Sequence, residues 1–239
     1  MAVEHQVPGP DAAATGEHGK AEVTGEFVDL FGERYYAIHN VDRMPPFFVS
    51  VISSDDHWLF ASSTGGLTAG RVSPDTALFP YITVDRIHDS TTHTGSVSLF
   101  RIRTGDIDRE WEPFSTADDG RHARTRNLYK NVLGNKLCFE EINHDLQLAF
   151  RYTWSTSDRY GFVRTCRLQN LSHGDVRVEC LDGLQNILPA GTPGATQAAA
   201  SNLVDAYKWA ELEEPTGLAV FALYAGISDR AEPCESLRA

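Results

Sequence analysis

The sequence lacks any apolar run of the about 20 residues that a membrane-spanning helix takes. Its first 23 residues carry acidic side chains and no apolar stretch, which is unlike a secretory signal. Basic side chains are also scarce, with 21 Lys and Arg against 33 Asp and Glu and a formal net charge of -12. Nucleic-acid binding needs a basic face that displaces counterions from phosphates. We therefore expect neither a membrane nor a nucleic acid as a partner.

The four cysteines form no CxxC pair and no dense framework; they are Cys138, Cys166, Cys180 and Cys234. Scattered cysteines in a chain of this length are typical of reduced thiols. Together with the absence of a signal, this pattern predicts a cytoplasmic protein. We expect no cofactor.

Motifs for nucleotide binding, nucleophilic catalysis and metal binding are missing as well. A phosphate-binding loop ends in Gly-Lys-Ser/Thr, whereas Gly70 is followed by Arg71 and Val72. There is no GxSxG turn and no HExxH spacing. The polar run 86–93, RIHDSTTH, is therefore interpreted as a strand end with solvated histidines, in preference to a catalytic triad or metal site.

Adjacent carboxylates also give no catalytic pair, because neighbours on a strand point to opposite faces. We expect them to be solvated turn or edge residues; they are Asp55-Asp56, Asp118-Asp119 and Glu140-Glu141. No catalytic residue and no metal ligand is predicted.

What the sequence does contain is an alternation of apolar and polar residues. In HDLQLAFRYTW, residues 144–154, the large side chains share one parity, which predicts a half-buried strand. The segment NKLCFEEI, residues 135–142, is its predicted hairpin partner, with Leu137 and Phe139 on the buried face. A second hairpin is predicted around Ser172-His173-Gly174.

Similar segments recur about every 8 to 12 residues, a spacing typical of all-β sandwiches. Those segments are EFVDLF, ERYYAIHNV, PPFFVSVIS, HWLFASS, GSVSLFRIR, REWEPF, TRNLYKNVLG, NLVDAYKWAEL and GLAVFALYAGI. We predict an all-β fold, a large antiparallel sandwich. The Pro-, Gly- and Ala-rich segment 189–202 is predicted to be a long loop at the mobile edge of a site.

The predicted domain organisation has three parts. Residues 1–22 have almost no large apolar side chain and are predicted to be a flexible leader. Residues 23–228 form the sandwich domain. Residues 229–239, SDRAEPCESLRA from Ser228 onward, are predicted to begin a helix. The helix is interpreted as the start of a linker to a further domain, and the alternative is a short tail helix packed on the sandwich.

The glycine-containing stretch FASSTGGLTAGR, residues 60–71, is the candidate ligand-binding loop. Paired glycines let a backbone approach a ligand, and they also serve turns with positive φ; both interpretations stay open. The candidate substrate-binding residues are Ser62, Ser63, Thr64, Gly65, Gly66, Arg71 and, as an exposed aromatic platform, Trp111.

Three stretches together resemble the cellobiose phosphorylase-like inverting glycoside phosphorylases. The loop FASSTGGLTAGR is similar to their S-N-T-G-G-G loop, although Leu67 stands where that family often has a third glycine. The segment GFVRTCRLQNLSHGDVRVECLDGLQNILP resembles a strand pair with an R-x-x-x-L-x-N-x-S centre, and LAVFALYAGISDRAEPCESLRA resembles the exit toward linker helices.

This resemblance implies a galactose-mutarotase-like β-supersandwich that precedes a helical catalytic barrel. In such an enzyme the barrel carries the catalytic acid and binds inorganic phosphate as co-substrate. The resemblance places residues 62–66 and Arg71 at the mouth of the active site. It implies a non-catalytic domain of a glycoside phosphorylase or hydrolase that shapes an oligosaccharide site and supports a homodimer.

Two other functions remain open. One is a stand-alone carbohydrate-binding module that uses the glycine loop and an exposed aromatic ring. The other is a mutarotase-like epimerase, which needs a histidine and a carboxylate in one cleft. The histidines available for that role are His88, His93, His122 and His144.

Overall fold

The computed structural model describes residues 22–105, 107–117, 120–188, 193–223 and 237–238. Over these residues the chain is mostly β-structure, as predicted. The strands are β1 Thr24–Leu30, β2 Glu33–His39, β3 Phe48–Val51, β4 His57–Ser62, β5 Leu67–Arg71, β6 Ala77–Phe79, β7 Gly95–Thr104, β8 Ile107–Trp111, β9 Arg124–Asn131, β10 Lys136–Asn143, β11 Leu148–Ser157, β12 Gly161–Asn170, β13 Arg177–Gln185, β14 Lys208–Glu213, β15 Leu218–Leu223 and β16 Leu237–Arg238. The α-helix α1 spans Gly194–Ala206, and 3-10 helices span Val41–Arg43, Pro74–Thr76 and Ile87–Ser90.

The strands form four antiparallel sheets. The largest has the order β1-β2-β9-β10-β11-β12, and a second has the order β3-β4-β5-β6. Two three-stranded sheets have the orders β13-β7-β8 and β14-β15-β16. Antiparallel sheets that bury one face give the alternating pattern seen in the sequence.

The core confirms the predicted strand faces of β10 and β11. Leu148, Phe150, Tyr152 and Trp154 are each at most 3% exposed, and they pack in one cluster with side chains from β4, β5, β7 and β10. Leu137 and Phe139 lie in the same cluster, as predicted. Burying one such side chain stabilises a fold by about 1.5–3 kcal/mol, so this face dominates the stability of the largest sheet.

One of the two predicted hairpins is correct. Strands β10 and β11 pair in register across the turn at residues 144–147. The hairpin around Ser172-His173-Gly174 is wrong, because β12 pairs with β11 whereas β13 pairs with β7. Residues 171–176 thus carry the chain from one sheet to another, and a polar turn segment serves that crossing as well as it serves a hairpin.

The prediction that residues 189–202 form a long loop is wrong from residue 194 onward. Residues 194–206 form α1, which follows Pro193 and is irregular at Ala200. The prediction gave most weight to Pro and Gly, yet the segment is rich in alanine, the strongest helix former. Proline just before the first helical turn is also well tolerated.

The predicted leader lies outside the described residues except for Glu22. Of the predicted linker helix, only residues 237–238 are described, and they pair with β15 as a short strand. Within the described residues no helix is both long and apolar enough to span a bilayer.

Candidate ligand-binding site

The glycine loop is the tight turn that joins β4 to β5. The amide of Ser62 donates to the Gly66 carbonyl at 2.7 Å, and the amide of Gly65 donates to the Ser62 carbonyl at 2.9 Å. Gly65 has a φ of +101°, a conformation that favours glycine. A Cβ on Gly66 would lie 2.6 Å from the Ile87 carbonyl oxygen, so this glycine lets the turn pack against the helix at 87–90.

Only part of the predicted loop reaches solvent. Ser62 and Gly66 are buried and Ser63 is 8% exposed, whereas Thr64 is exposed and Gly65 is half-buried. Ser63 Oγ instead accepts the Phe47 amide at 3.1 Å, which ties the turn to the segment before β3. Within the turn, ligand contact is therefore restricted to Thr64 and Gly65.

Arg71 lies at the far end of β5, roughly 13 Å along the strand from Leu67 at 3.3 Å per residue. Its side chain is exposed and does not line the cavity described below.

The prediction that Trp111 is an exposed platform is wrong. Its side chain is 1% exposed, its ring centroid lies 5.6 Å from that of Phe100, and its Nε1 donates to Glu141 Oε1 at 2.9 Å. The flanking charged residues suggested exposure, but strand alternation directs them away from the core while Trp111 points inward.

A chain of hydroxyl contacts connects the turn to the polar run at 86–93. His88 Nδ1 lies 2.7 Å from Ser62 Oγ, which lies 2.5 Å from Thr64 Oγ1; this atom lies 2.6 Å from Thr91 Oγ1. Because Ser62 is fully buried, the Ser62–His88 pair cannot present a nucleophile to a ligand. The prediction that this run is a strand end is wrong, since residues 87–90 form a 3-10 helix. Of its two histidines, His93 is exposed and His88 is half-buried.

A cavity of about 240 Å³ opens beside the turn. Its lining includes eight hydroxyl side chains and is drawn from five chain segments; the residues are Thr64, Gly65, Thr91, Thr92, Ser96, Val97, Ser98, Glu112, Pro113, Phe114, Ser115, Thr116, Ala117, Tyr152 and Gln185. Most of the polar groups are uncharged.

One wall of the cavity is the segment 112–117, which is hydrogen-bonded to the buried carboxylate of Glu141. Glu141 Oε2 accepts the Phe114 amide at 2.8 Å and Arg126 Nε at 2.7 Å. Arg126 Nη2 in turn donates to the Ser115 carbonyl at 2.9 Å. The prediction that Glu140 and Glu141 are solvated is wrong, since both are 1% exposed and bonded within the protein.

A second wall of the cavity is held by an ion pair between strands of two different sheets. Arg164 of β12 donates to both carboxylate oxygens of Asp182 of β13, at 2.7 and 2.9 Å. Arg164 Nε also donates to Ser96 Oγ at 2.8 Å, and Ser98 Oγ donates to Asp182 Oδ1 at 2.5 Å. The hydroxyls of Ser96 and Ser98 are thereby oriented at the cavity wall.

Tyr152 forms the back of the cavity. Its ring stacks on Phe139 with centroids 4.8 Å apart and meets the edge of Phe114 at 5.2 Å. Burial raises the pKa of Tyr152, so its hydroxyl stays neutral and can donate or accept a hydrogen bond. The guanidinium of Arg164 lies 5.3 Å from the ring centroid.

The lining side chains can donate hydrogen bonds to a polar ligand and accept them from it. Among the lining side chains there is one carboxylate, Glu112, and no histidine. The residues that the structure describes contain no group of three or more His, Cys, Asp or Glu side chains arranged for a metal ion. None of the four histidines available for a mutarotase-like site, which are His88, His93, His122 and His144, lines this cavity.

Sequence reasoning identified Thr64 and Gly65 but missed the rest of the lining. The signal available for Thr91 and Thr92 was the hydroxyl-rich run beside the histidines. For Ser96, Glu112 and Gln185 there was no local signal, because only the pairing of β7 with β8 and β13 brings them together.

No protein-family model matches the sequence, and no curated protein matches it.

Proposed function

We propose that this chain is the non-catalytic β-sandwich domain of a carbohydrate-active enzyme, a glycoside phosphorylase or hydrolase. In this proposal a separate helical catalytic domain carries the reaction, and the sandwich contributes the cavity beside the glycine turn to an oligosaccharide site. The three described cysteines are free thiols, which supports a cytoplasmic location.

The observation that supports the proposal is the chemistry of the cavity. Sugar hydroxyls both donate and accept hydrogen bonds, and so do the Thr, Ser and Tyr hydroxyls of the lining. A volume of about 240 Å³ is below the roughly 300–1,000 Å³ of sites for drug-sized ligands, so it suits a single sugar unit at the end of a longer chain.

The same chemistry explains why catalysis is assigned elsewhere. Inverting cleavage of a glycosidic bond needs an acid and a second group that guides the nucleophile, set roughly 6.5–9.5 Å apart across the sugar. Glu112 is a single carboxylate in the cavity lining. The catalytic acid and, for a phosphorylase, the site for inorganic phosphate would then belong to the helical domain.

A homodimer is part of the proposal, and an apolar groove supports it. Phe27, Ile52 and Leu133 are 57%, 56% and 72% exposed around a groove of about 440 Å³ beside β1 and β2. Exposed apolar patches of this kind are typical of protein interfaces. Sedimentation velocity should show dimers that Leu133→Glu converts to monomers; a monomeric parent chain would remove this part of the proposal.

Nuclear magnetic resonance titration with a panel of neutral mono- and disaccharides tests the sugar site. The amides of Thr64, Gly65, Thr91 and Gln185 should shift with millimolar dissociation constants. Thr64→Val should weaken binding by about 2- to 10-fold, because one hydrogen bond is worth about 0.5–1.5 kcal/mol. Thr104→Val, at the opposite end of β7 from the cavity, is the matched control and should leave the affinity unchanged.

The other outcomes distinguish the alternatives. If no saccharide shifts these amides, the cavity is not a sugar site and the proposal fails. Sub-millimolar binding by the chain alone would favour a stand-alone carbohydrate-binding module. Acceleration of glucose or galactose mutarotation would favour an epimerase instead.

A further inference from the structure

The cavity beside the glycine turn has a single charged side chain in its lining, that of Glu112. Glu112 directly follows the last residue of β8 and is half-buried. Within the part of the chain that the structure describes, its carboxylate has no hydrogen-bond donor and no ion-pair partner, and its oxygens are not fully buried. A ligand in the cavity therefore meets an anion that the protein has not already paired.

The arginines that support the cavity walls do not compensate this charge. Arg164 and Arg126 each pair with a carboxylate of their own, as described above, and neither lines the cavity. Arg124, also outside the lining, has Nη1 3.2 Å from the Ser115 carbonyl oxygen. The charge presented by the lining side chains is consequently the single negative charge of Glu112.

Other groups of the lining add hydrogen-bond acceptors to this carboxylate. Gln185 Nε2 donates to the Thr92 carbonyl at 3.3 Å, which leaves Gln185 Oε1 to accept a hydrogen bond. The neutral Tyr152 hydroxyl and the Ser and Thr hydroxyls can also accept. An ammonium group donates three hydrogen bonds and accepts none, so it matches a lining of this kind.

A neutral sugar and a protonated amine differ in what they do to Glu112. Either ligand displaces water from the carboxylate, and removing a charge from water is costly unless the charge is paired. The hydroxyls of a neutral sugar can donate hydrogen bonds to the carboxylate but supply no counter-charge. An ammonium group supplies both, in a charge-assisted hydrogen bond.

Building on the proposed sugar site, we propose that the cavity selects an amino sugar, a hexose in which a protonated amine replaces one hydroxyl. Glu112 is the specificity-determining residue and binds the ammonium group. The remaining hydroxyls of the sugar bond to the eight hydroxyl side chains of the lining. Those side chains distinguish an amino sugar from a simple organic cation, which would leave most of them without a partner.

The test is a nuclear magnetic resonance titration of the full chain at about pH 6, where aliphatic amines are protonated. The ligands are glucose and its three isomeric amino derivatives with the amine at carbon 2, 3 or 6, at matched ionic strength. At least one amino sugar should bind about 5- to 10-fold more tightly than glucose, because hydrogen bonds between charged groups are the stronger ones. N-acetylation of that amino sugar, which removes the charge, should abolish the gain.

Two variants show whether Glu112 is responsible. Glu112→Gln keeps the shape of the side chain without its charge, so the ratio of amino-sugar to glucose affinity should fall to about one. Glu110→Gln is the matched control, since Glu110 is an exposed carboxylate of β8 that does not line the cavity. It should leave the ratio unchanged, which separates a local contact from general attraction by the net charge of -12.

The outcomes separate this proposal from the proposed function. If glucose binds but no amino sugar binds more tightly, or if the preference persists in Glu112→Gln, the amino-sugar proposal is overturned and the sugar site stands. If neither glucose nor any amino sugar shifts the cavity amides, the proposed function fails as well. Ethanolamine that binds as tightly as the preferred amino sugar would show a cation site without sugar recognition, and this result would also overturn the proposal.

Discussion

Replacing Glu141 by alanine should strongly destabilise the protein, because this buried carboxylate holds one wall of the cavity. Glu141 is 1% exposed and accepts hydrogen bonds from the Trp111 indole, the Phe114 amide and the Arg126 guanidinium. Removing one partner of a buried ion pair costs about 3–5 kcal/mol, since it leaves an uncompensated charge. That loss should lower Tm by about 6–20 °C in a chain of this size.

The assay is urea denaturation followed by intrinsic fluorescence, with Glu110→Ala as the matched control. Glu110 is the exposed neighbour of Trp111 on β8, and its replacement should change stability by less than about 0.5 kcal/mol. Glu141→Gln keeps the shape of the side chain, so its loss of stability should lie between the losses of Glu141→Ala and Glu110→Ala. If Glu141→Ala costs less than about 1 kcal/mol, Glu141 does not hold the wall and the account of the site is wrong.

Two further predictions use other parts of the site. Gly66→Ala should lower the free energy of unfolding by about 1–3 kcal/mol, measured by thermal and urea denaturation, because the added Cβ would meet the Ile87 carbonyl. Gly174→Ala is the control; the space around Gly174 is open, so this change should be nearly neutral. Burial alone would raise the pKa of Asp182, but hydrogen bonds from Arg164 outweigh it and lower the pKa. The stabilisation that this carboxylate provides is therefore present above pH 4 and lost as the pH falls through the lowered pKa, so the stability gap between wild type and Asp182→Asn should shrink in acid.

The strands were predictable where one face is buried and the other is not. The alternation in β10 and β11 reflects a buried face that is continuous along both strands, so the pattern is carried by adjacent residues. The same alternation in β12 and β13 predicted strands correctly but not their partners. Pairing depends on which edge is available in space, and a turn segment does not encode that.

The site was less predictable because its chemistry comes from contacts between distant segments. Glu141 is buried because Arg126 of β9 and Trp111 of β8 supply its partners. A Glu-Glu pair in isolation resembles a solvated surface pair. The prediction that Trp111 is exposed failed for the same reason. Its charged neighbours are visible in the sequence, whereas Glu141, which accepts the hydrogen bond of the indole, is distant along the chain.

The two walls of the cavity should be energetically coupled through a pair of aromatic rings. The guanidinium of Arg126 lies 6.0 Å from the centroid of Phe114, and Phe114 meets Tyr152 at 5.2 Å. The guanidinium of Arg164, which is paired with Asp182, lies 5.3 Å from the centroid of the Tyr152 ring.

Because the two ion pairs share this aromatic pair, the unfolding free energies of Glu141→Gln and Asp182→Asn should not add. A double-mutant cycle in urea should give a coupling of at least about 0.5 kcal/mol, which is the lower limit for residues that share a contact network. The control cycle pairs Glu141→Gln with Glu110→Ala and should be additive. Additivity in the first cycle would mean that each wall is held independently, and a ligand bound at one wall would then leave the other unaffected.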